Sequence, residues 1–406
     1  MAEDKKKTTI IPIGPYHPLQ EEPEFFELHV EGEKVVKLDI NIGYNHRGIE
    51  KLSESMHFDQ VPFLVERICG ICSTSHPFAY VNAVEDLAGI EIPDRAKYIR
   101  SIIGELERLH SHLLWLGLAG HFLGYNTVWM WVWKVREPVL ELFEKITGNR
   151  NHYAMFKIGG VRRDIPNDEI NAIMKTCDEI AKFLEMLYKV VMDDPVLVAR
   201  TKGVGILTKE EAIEWGVVGP TARASGVDID VRRDDPYAAY DMVEWKVIVT
   251  QNGDVFDKVV VRILECFESI KIIKGCLKGL EKTKEGNIET VVKNIPPGEG
   301  IGRHEAPRGE VFHYVRSDGT NRPIRHKIRA PSYMNVPSNQ VAAIKGTISD
   351  AALVLAAVDP CYCCTERCAI VDLKTNQSRI ISGDELVRMC QEKTKKIIEE
   401  MGIKNE

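Results

Sequence analysis

Two short stretches hold the residues best suited to chemistry: Arg67-Ile68-Cys69-Gly70-Ile71-Cys72 and Asp359-Pro360-Cys361-Tyr362-Cys363-Cys364. Each contains a C-x-x-C, Cys69 with Cys72 and Cys361 with Cys364. At that spacing two thiolates stand about one helical turn apart and can face a common metal. Four thiolates suit soft metals: zinc, an iron–sulfur cluster or a nickel–iron centre. Four cysteines alone favour structural zinc. A zinc ribbon, however, closes its second C-x-x-C within a few tens of residues of the first. Here nearly three hundred residues separate the pairs. The spacing therefore predicts a site at the centre of a large domain, joined by the fold.

The rest of the composition bounds the answer. A chain of 406 residues can bury one large core or two modest ones. Hydrophobic content of 44% and charged content of 28% are those of an ordinary soluble globular protein. A net charge of −7 gives no reason to expect nucleic acid. The start, Met1-Ala2-Glu3-Asp4-Lys5-Lys6-Lys7, is hydrophilic and leads into no signal-peptide core. Thiols inside cells stay reduced, so ten cysteines read as metal or redox sites before disulfides. Cys177, Cys266 and Cys276 sit singly in helical patterns and are expected in the core.

The elements that must position the pairs follow from periodicity. Ile10 to Ile13, Phe26 to Val30 and Val35 to Ile42 read as short strands. Helices are expected from Arg95 towards Leu118, capped by Asp94, from Thr127 to Ile146 with a bend at Pro138, from Asp168 to Met192, and from Val255 to Leu280. A further helix is expected around Cys72. The apolar run from His112 to Trp133 reads as two buried helical segments, with Trp129, Trp131 and Trp133 in the core. Gly216 to Tyr240 shows no clear period, Pro296 to Asn335 reads as short strands, and Gln340 to Val358 as a last apolar helix.

Five motifs in order give the chain a family. Gly14-Pro15-Tyr16-His17-Pro18, His46-Arg47-Gly48-Ile49-Glu50-Lys51, the segment Gly219 to Val227 with Gly219-Pro220, Arg223-Ala224-Ser225-Gly226, then Asp230, Arg232 and Pro236-Tyr237, the run Glu305-Ala306-Pro307-Arg308-Gly309-Glu310, and the two cysteine pairs resemble the large subunit of nickel–iron hydrogenases. The resemblance is to the energy-converting, membrane-associated group related to the 49 kDa subunit of complex I, and it covers almost the whole chain. It implies an α+β fold: a central helical bundle of about five helices, a small N-terminal β-rich domain, and a C-terminal strand/loop segment closing over the metal site. The corresponding boundaries are 1–57 for the N-terminal domain, 58–295 for the bundle with an inserted loop 200–245, 296–367 for the segment with the second pair, and 368–406 for a possible cleavable extension. Complex I relatives line a quinone pocket and lack the four cysteines. The intact pairs here favour hydrogenase over a quinone- or sulfur-directed relative without an active Ni–Fe centre.

The resemblance also implies roles. Cys69 and Cys361 would bind nickel terminally, and Cys72 and Cys364 would bridge nickel and iron, the iron also holding CO and CN ligands. Arg308 resembles the arginine held over the open position, and Pro331-Ser332 the pair beside the cyanides, where a hydroxyl can donate. Glu22 resembles the acid that takes a proton from the Cys361 thiolate, with Glu21 adjacent. Glu50 would serve a proton path or a small Mg or Fe site. His17 corresponds to a quinone-side histidine. Cys363 departs from the family pattern as an extra thiol and is read as a small neighbour of the ligands, and His76, His110 and His112 are read as packed or hydrogen-bonded groups rather than ligands.

No motif binds a dinucleotide or holds a further cluster, so electrons must leave through another polypeptide. The resemblance implies a small subunit with a 4Fe–4S cluster, membrane ion-translocating subunits, ferredoxin beyond them, and a maturation protease and chaperone. The expected place is the cytoplasmic face of the cell membrane. In that group the protease cuts after an arginine in D-P-C-x-x-C-T-D/E-R, here Arg367. The tail reads as two strands, Ala369 to Leu373 and Ser378 to Ser382, and a helix from Glu385 to Glu400.

Overall fold

The computed structural model describes residues 8–18 and 20–365 and, in the tail, residues 370–372, 375, 377–379, 381 and 383–402. Met1–Glu366 and Arg367–Glu406 form two compact units.

The first unit opens on a three-stranded antiparallel sheet, β1 (Thr9–Ile13), β2 (Phe25–Glu31) and β3 (Lys34–Asn41), in the order β1-β2-β3. Strand β2 alternates strictly, burying Phe26, Leu28 and Val30 on one face. Each fully buried side chain of this kind contributes about 1.5–3 kcal/mol. The face packs on Val336, Ala343, Ala351, Val354 and Tyr362, so the beginning of the chain shares a core with the segment that carries the second cysteine pair.

Five long helices make the second core: α2 (Ser75–Ala88), α3 (Asp94–Phe122), α4 (Asn126–Thr147), α5 (Ile170–Asp193) and α7 (Val255–Leu280), with the short helices α1 (Ile49–Ser53) and α6 (Gly219–Ala224) outside this count. Central α3 buries Ile99, Ile102, Ile103, Leu106, Leu109 and Leu113, the predicted apolar face. Cys177, Cys266 and Cys276 are fully buried, as expected.

Several local expectations shift. Asp94 does not cap α3. It is already helical and pairs with Lys97 at 3.1 Å, while Pro93 precedes it with extended backbone. The run from His112 to Trp133 breaks at Leu123 to Tyr125, between α3 and α4. Trp131 is 42% exposed and Trp129 and Trp133 are half-buried, because α4 turns Val128, Val132 and Val139 inward and adjacent positions must face away. No helix among the described residues is long and apolar enough to cross a membrane. The stretch read as a loop at 200–245 contains short helices, including α6, which sends Arg223 into the core. The expected helix from Gln340 to Val358 is broken at Gly346 and Thr347. Thr347 forms a capping box with Asp350 and starts α9 (Ile348–Ala357) afresh.

A second antiparallel sheet, β4 (Gly298–Ala306), β5 (Gly309–Ser317) and β6 (Arg325–Arg329), lies against α2. Contact is backbone to backbone. A Cβ at Gly302 would stand 1.9 Å from the Ala79 carbonyl oxygen, and one at Gly300 2.1 Å from that of Ala83. Only glycine fits there. The β4–β5 turn is Pro307-Arg308, closed by the Ala306–Gly309 pair, so Arg308 stands at the tip of a tight hairpin.

In the tail unit, β7 (Ile370–Val371) pairs antiparallel with β8 (Ser378–Arg379), and α10 (Gly383–Glu400) follows. Arg367 lies outside the described residues.

Candidate metal centre

Neither cysteine pair rides on an α-helix. Cys69 has extended backbone, and Cys72 sits in the turn before α2. Cys361 is extended, and Tyr362–Cys364 is a single 3-10 turn after α9. The tighter turn still brings each pair to one point. The thiols of Cys69, Cys361 and Cys364 lie within 4.8 Å of one another. Cys361 Sγ and Cys364 Sγ are 3.0 Å apart. Cys72 adjoins this group of three: its N–H donates to Cys69 Sγ at 3.4 Å, and its thiol interacts electrostatically with those of Cys69 and Cys361. All four are buried and free of disulfides.

The electrostatics suit a cation. Interactions with Cys361, Cys364 and Cys72 hold Cys69 well below the ordinary thiol range, while the neighbouring thiols and burial together push Cys72, Cys361 and Cys364 up. Four thiolates at this spacing require metal charge, and a soft divalent metal displaces the protons. The donor set therefore fits a nickel–iron centre, and equally any thiophilic metal.

Supporting groups surround the cluster. Arg308 donates from Nη1 to Cys72 Sγ and to Ser111 Oγ, both at 3.2 Å. Its Nε donates to the Asp359 carbonyl, and its Nη2 pairs with the Asp359 carboxylate at 2.8 Å. Asn335 holds the Arg308 carbonyl at 3.0 Å. Burial pushes the Asp359 carboxyl up, with Arg308 and Arg262 opposing. Asp359 takes a left-handed conformation, φ 54°, which aims its side chain and its carbonyl at one guanidinium. Ser332 Oγ accepts from the Cys361 N–H at 2.9 Å, and its own proton remains to donate. Pro331 starts the short helix α8 (Pro331–Asn335) that presents it.

Glu22 accepts from the Cys363 N–H at 2.6 Å, which puts its carboxylate against the second pair. Burial raises its pKa, and the nearby Cys69 charge adds to that. Glu21 is pushed up to about 7, again chiefly by desolvation, although its side chain reaches the surface. Cys363 is half-buried beside Glu22 and belongs to no thiol cluster. Glu50 accepts from Lys327 Nζ at 2.7 Å and from the Ile328 N–H at 3.0 Å. His17 is exposed, His112 bonds Glu265 at 2.9 Å, and His110 bonds Arg136 at 3.2 Å.

Sequence reasoning read His76 only as a packed or hydrogen-bonded group, read Asp359 only within its motif, and missed Glu107. His76 lies 3.5 Å from Cys364 Sγ and continues into His313 and His326. Asp359 was legible only as part of D-P-C-x-x-C. Glu107 receives the Thr74 N–H and the Ser75 hydroxyl just beyond Cys72, and burial pushes it up to about 7. Contacts between residues so far apart in the chain leave no spacing signal.

Two sequence comparisons and one structural comparison give the chain a family. Residues 123–367 match the family described as respiratory-chain NADH dehydrogenase, 49 kDa subunit, and residues 47–119 match the nickel-dependent hydrogenase family. The chain belongs to this combined family of 49 kDa-type subunits and nickel-dependent hydrogenase large subunits. Within it, the chain is 41% identical over 404 residues to the membrane-bound hydrogenase subunit alpha of Pyrococcus furiosus, covering 95% of this chain and 93% of the relative. It is 38% identical over 351 residues to an NADH-quinone oxidoreductase subunit of Clostridium beijerinckii, covering 86% of this chain and 94% of that relative. Among solved structures, a chain of the membrane-bound sulfane sulfur reductase, an archaeal respiratory membrane complex, superposes with a TM-score of 0.85 at 31% identity, over 90% of this chain and all of that one.

Proposed function

We propose that the chain is the hydrogen-activating large subunit of a membrane-associated, energy-converting nickel–iron hydrogenase. The observation that carries this reading is the convergence of the Cys69, Cys361 and Cys364 thiols, with Cys72 beside them beneath one buried guanidinium. A nickel–iron centre held by Cys69, Cys72, Cys361 and Cys364 would supply a redox-active metal with an open position, where dihydrogen becomes acidic. The chain's residues do the rest. Arg308 is a fixed positive charge that cannot be deprotonated, locked by Asp359 against Cys72. Ser332 holds the Cys361 backbone and offers a hydroxyl beside it. Glu22 receives and passes protons at the edge of the second pair.

Electrons would leave through a small subunit with a 4Fe–4S cluster toward ferredoxin, and membrane subunits would use the energy to move ions. The chain would sit peripherally on the cytoplasmic face. Metal analysis of the purified complex tests the reading. Nickel together with iron, and exchange between deuterium gas and water, are expected. Zinc alone, or no metal, would turn the reading towards a quinone- or sulfur-directed relative.

Glu22→Gln is expected to keep its metals and to slow gas–water exchange by about 10²–10⁴-fold, because an amide cannot relay a proton. Full exchange in that variant would move the relay to another carboxyl, Glu50 first. Arg308→Lys is expected to retain nickel while turnover falls, since an ammonium cannot keep the planar fork shared by Cys72, Ser111 and Asp359. Nickel content and turnover measured on one preparation separate the two effects. We also propose maturation by cleavage after Arg367. Intact-mass measurement of the native subunit should find a chain ending there, and an active, nickel-loaded chain ending at Glu406 would refute it.

A further inference from the structure

Arg47 is exposed, yet its guanidinium is directed at backbone. Nη1 donates to the Arg67 carbonyl at 2.7 Å and Nη2 to the Ile68 carbonyl at 2.8 Å, while Nε donates to the Asn45 carbonyl at 3.1 Å. Arg67 and Ile68 end the 3-10 turn Glu66–Ile68, which extends a short helix, Val61–Val65. The last carbonyls of a helical segment lack partners within it. Here a planar fork takes two of them in succession, from a residue 20 positions upstream of Arg67.

Cys69 comes directly after these two carbonyls, and there the backbone becomes extended, φ −144° and ψ 130°. The start of the turn is tied elsewhere. Arg67 Nη1 donates back to the Phe63 carbonyl at 2.8 Å, and Glu66 accepts from the Ala154 N–H at 2.7 Å. Beyond Cys69, Ser73 Oγ lies 2.8 Å from the Gly70 carbonyl. No helix or strand follows Cys69 until α2, so a frayed end of the turn would move its thiol first. Arg47 is the tie at that end.

Arg47 is itself placed. Gly48 takes a left-handed φ of 64° and turns the chain into α1, and Asn45 Nδ2 donates to the Pro23 carbonyl at 2.9 Å. Pro23 follows Glu22, which holds the Cys363 N–H. Residues 45–47 therefore join the turn before Cys69 to the segment that braces the second pair. A lysine at position 47 could carry the charge, but not two parallel donors.

We propose that Arg47 is a positioning residue for the metal centre: it caps the turn Glu66–Ile68 and so sets where the Cys69 thiol stands relative to Cys361 and Cys364. It acts through the backbone and moves no proton. The inference rests on the reading of Cys69 as a metal ligand.

The full chain, purified from cells grown without nickel, is titrated with cobalt(II), a probe whose bonds to thiolate sulfur absorb in the near ultraviolet. Arg47→Lys keeps the charge and loses the fork. It is expected to weaken cobalt binding about 10–100-fold, the usual cost of losing a group that orients a ligand. In a Cys69→Ser background the same substitution should change binding less than about twofold, because the ligand it orients is gone. A merely structural arginine would weaken binding alike in both backgrounds. Equal losses in the two, or undiminished binding in Arg47→Lys, overturn the assignment. If Arg47→Lys does not fold, magnetic resonance of the unaltered chain decides. A pinned Arg47 guanidinium gives separate lines for its Nη protons, whereas a single averaged line overturns the assignment. Absence of thiolate absorption in the unaltered chain would overturn the metal centre and this inference with it, whereas the other failures overturn this inference alone.

Discussion

Alanine at Cys364 or at Cys72 should leave the purified complex without nickel and without hydrogen uptake. Cys364 lies within 4.8 Å of Cys69 and Cys361, and Cys72 adjoins Cys69 through its N–H and Arg308 through its thiol, so either deletion would strip a ligand from the proposed centre. Loss of a group that merely supports a ligand costs roughly 10–100-fold in metal affinity. Loss of a ligand should exceed that and abolish loading. Cys363→Ala is the control. Its thiol lies outside the cluster, and the backbone N–H that Glu22 holds survives the substitution. Normal nickel in Cys364→Ala together with loss in Cys363→Ala, by metal analysis of matched preparations, would reassign the ligand.

Arg223→Met should cost about 3–5 kcal/mol, the usual result of removing one partner from a buried ion pair. Arg223 Nε pairs with Glu265 at 2.9 Å, and Nη1 pairs with Glu305 at 2.8 Å and with Asp230 at 3.4 Å. Without it, three carboxylates lie buried with one cation fewer. The network continues through Arg232, Glu105 and Arg108. Despite burial, Arg108 and Arg232 pull Glu105 down to about 2. A domain's net stability is only about 5–15 kcal/mol, so the loss should show as poor expression or a large fall in denaturant midpoint. Arg233→Met is the comparison. Its pairs with Asp228 and Asp234 are solvent-exposed, and such pairs contribute about 0–1 kcal/mol. Equal midpoints for the two variants would show that the buried network is dispensable.

Much of this centre was legible because thiolate chemistry leaves a spacing. The two C-x-x-C pairs name the ligands, and the long apolar faces of α3, α5 and α7 name the bundle that encloses them. Helical geometry within each pair was misread, since one extended residue and a tight turn converge the thiols as well as a helix does. Arg308 was legible through its motif alone. That it stands at a hairpin tip follows from the pairing of Ala306 with Gly309, a register that no local pattern announces. Trp131 was misplaced because an aromatic on an amphipathic helix can border the buried face as well as fill it. His76 was read as a packed or hydrogen-bonded group without its partners, for a different reason. His76 is 237 residues from His313, and no periodicity marks either.

The two halves of the centre are held by unlike means. Cys72 leads into a helix that meets β4 backbone to backbone at Gly300 and Gly302, a contact that cannot open without breaking the core. The second pair is held by side chains: Asp359 to Arg308, Cys361 N–H to Ser332, Cys363 N–H to Glu22, and Thr365 Oγ1 to Glu24 at 3.1 Å. Two of these four ties come from the few residues before β2. Local opening of such a segment costs far less than global unfolding. The centre is thus a fixed jaw and a latch, and the latch is fastened from the far end of the chain. Metal escape would then be governed by the opening rate of residues 359–365 rather than by unfolding. A chelator should strip the centre at a rate that saturates with its own concentration. Trimming the chain before Phe25 should raise that ceiling while leaving the bundle's melting almost where it was.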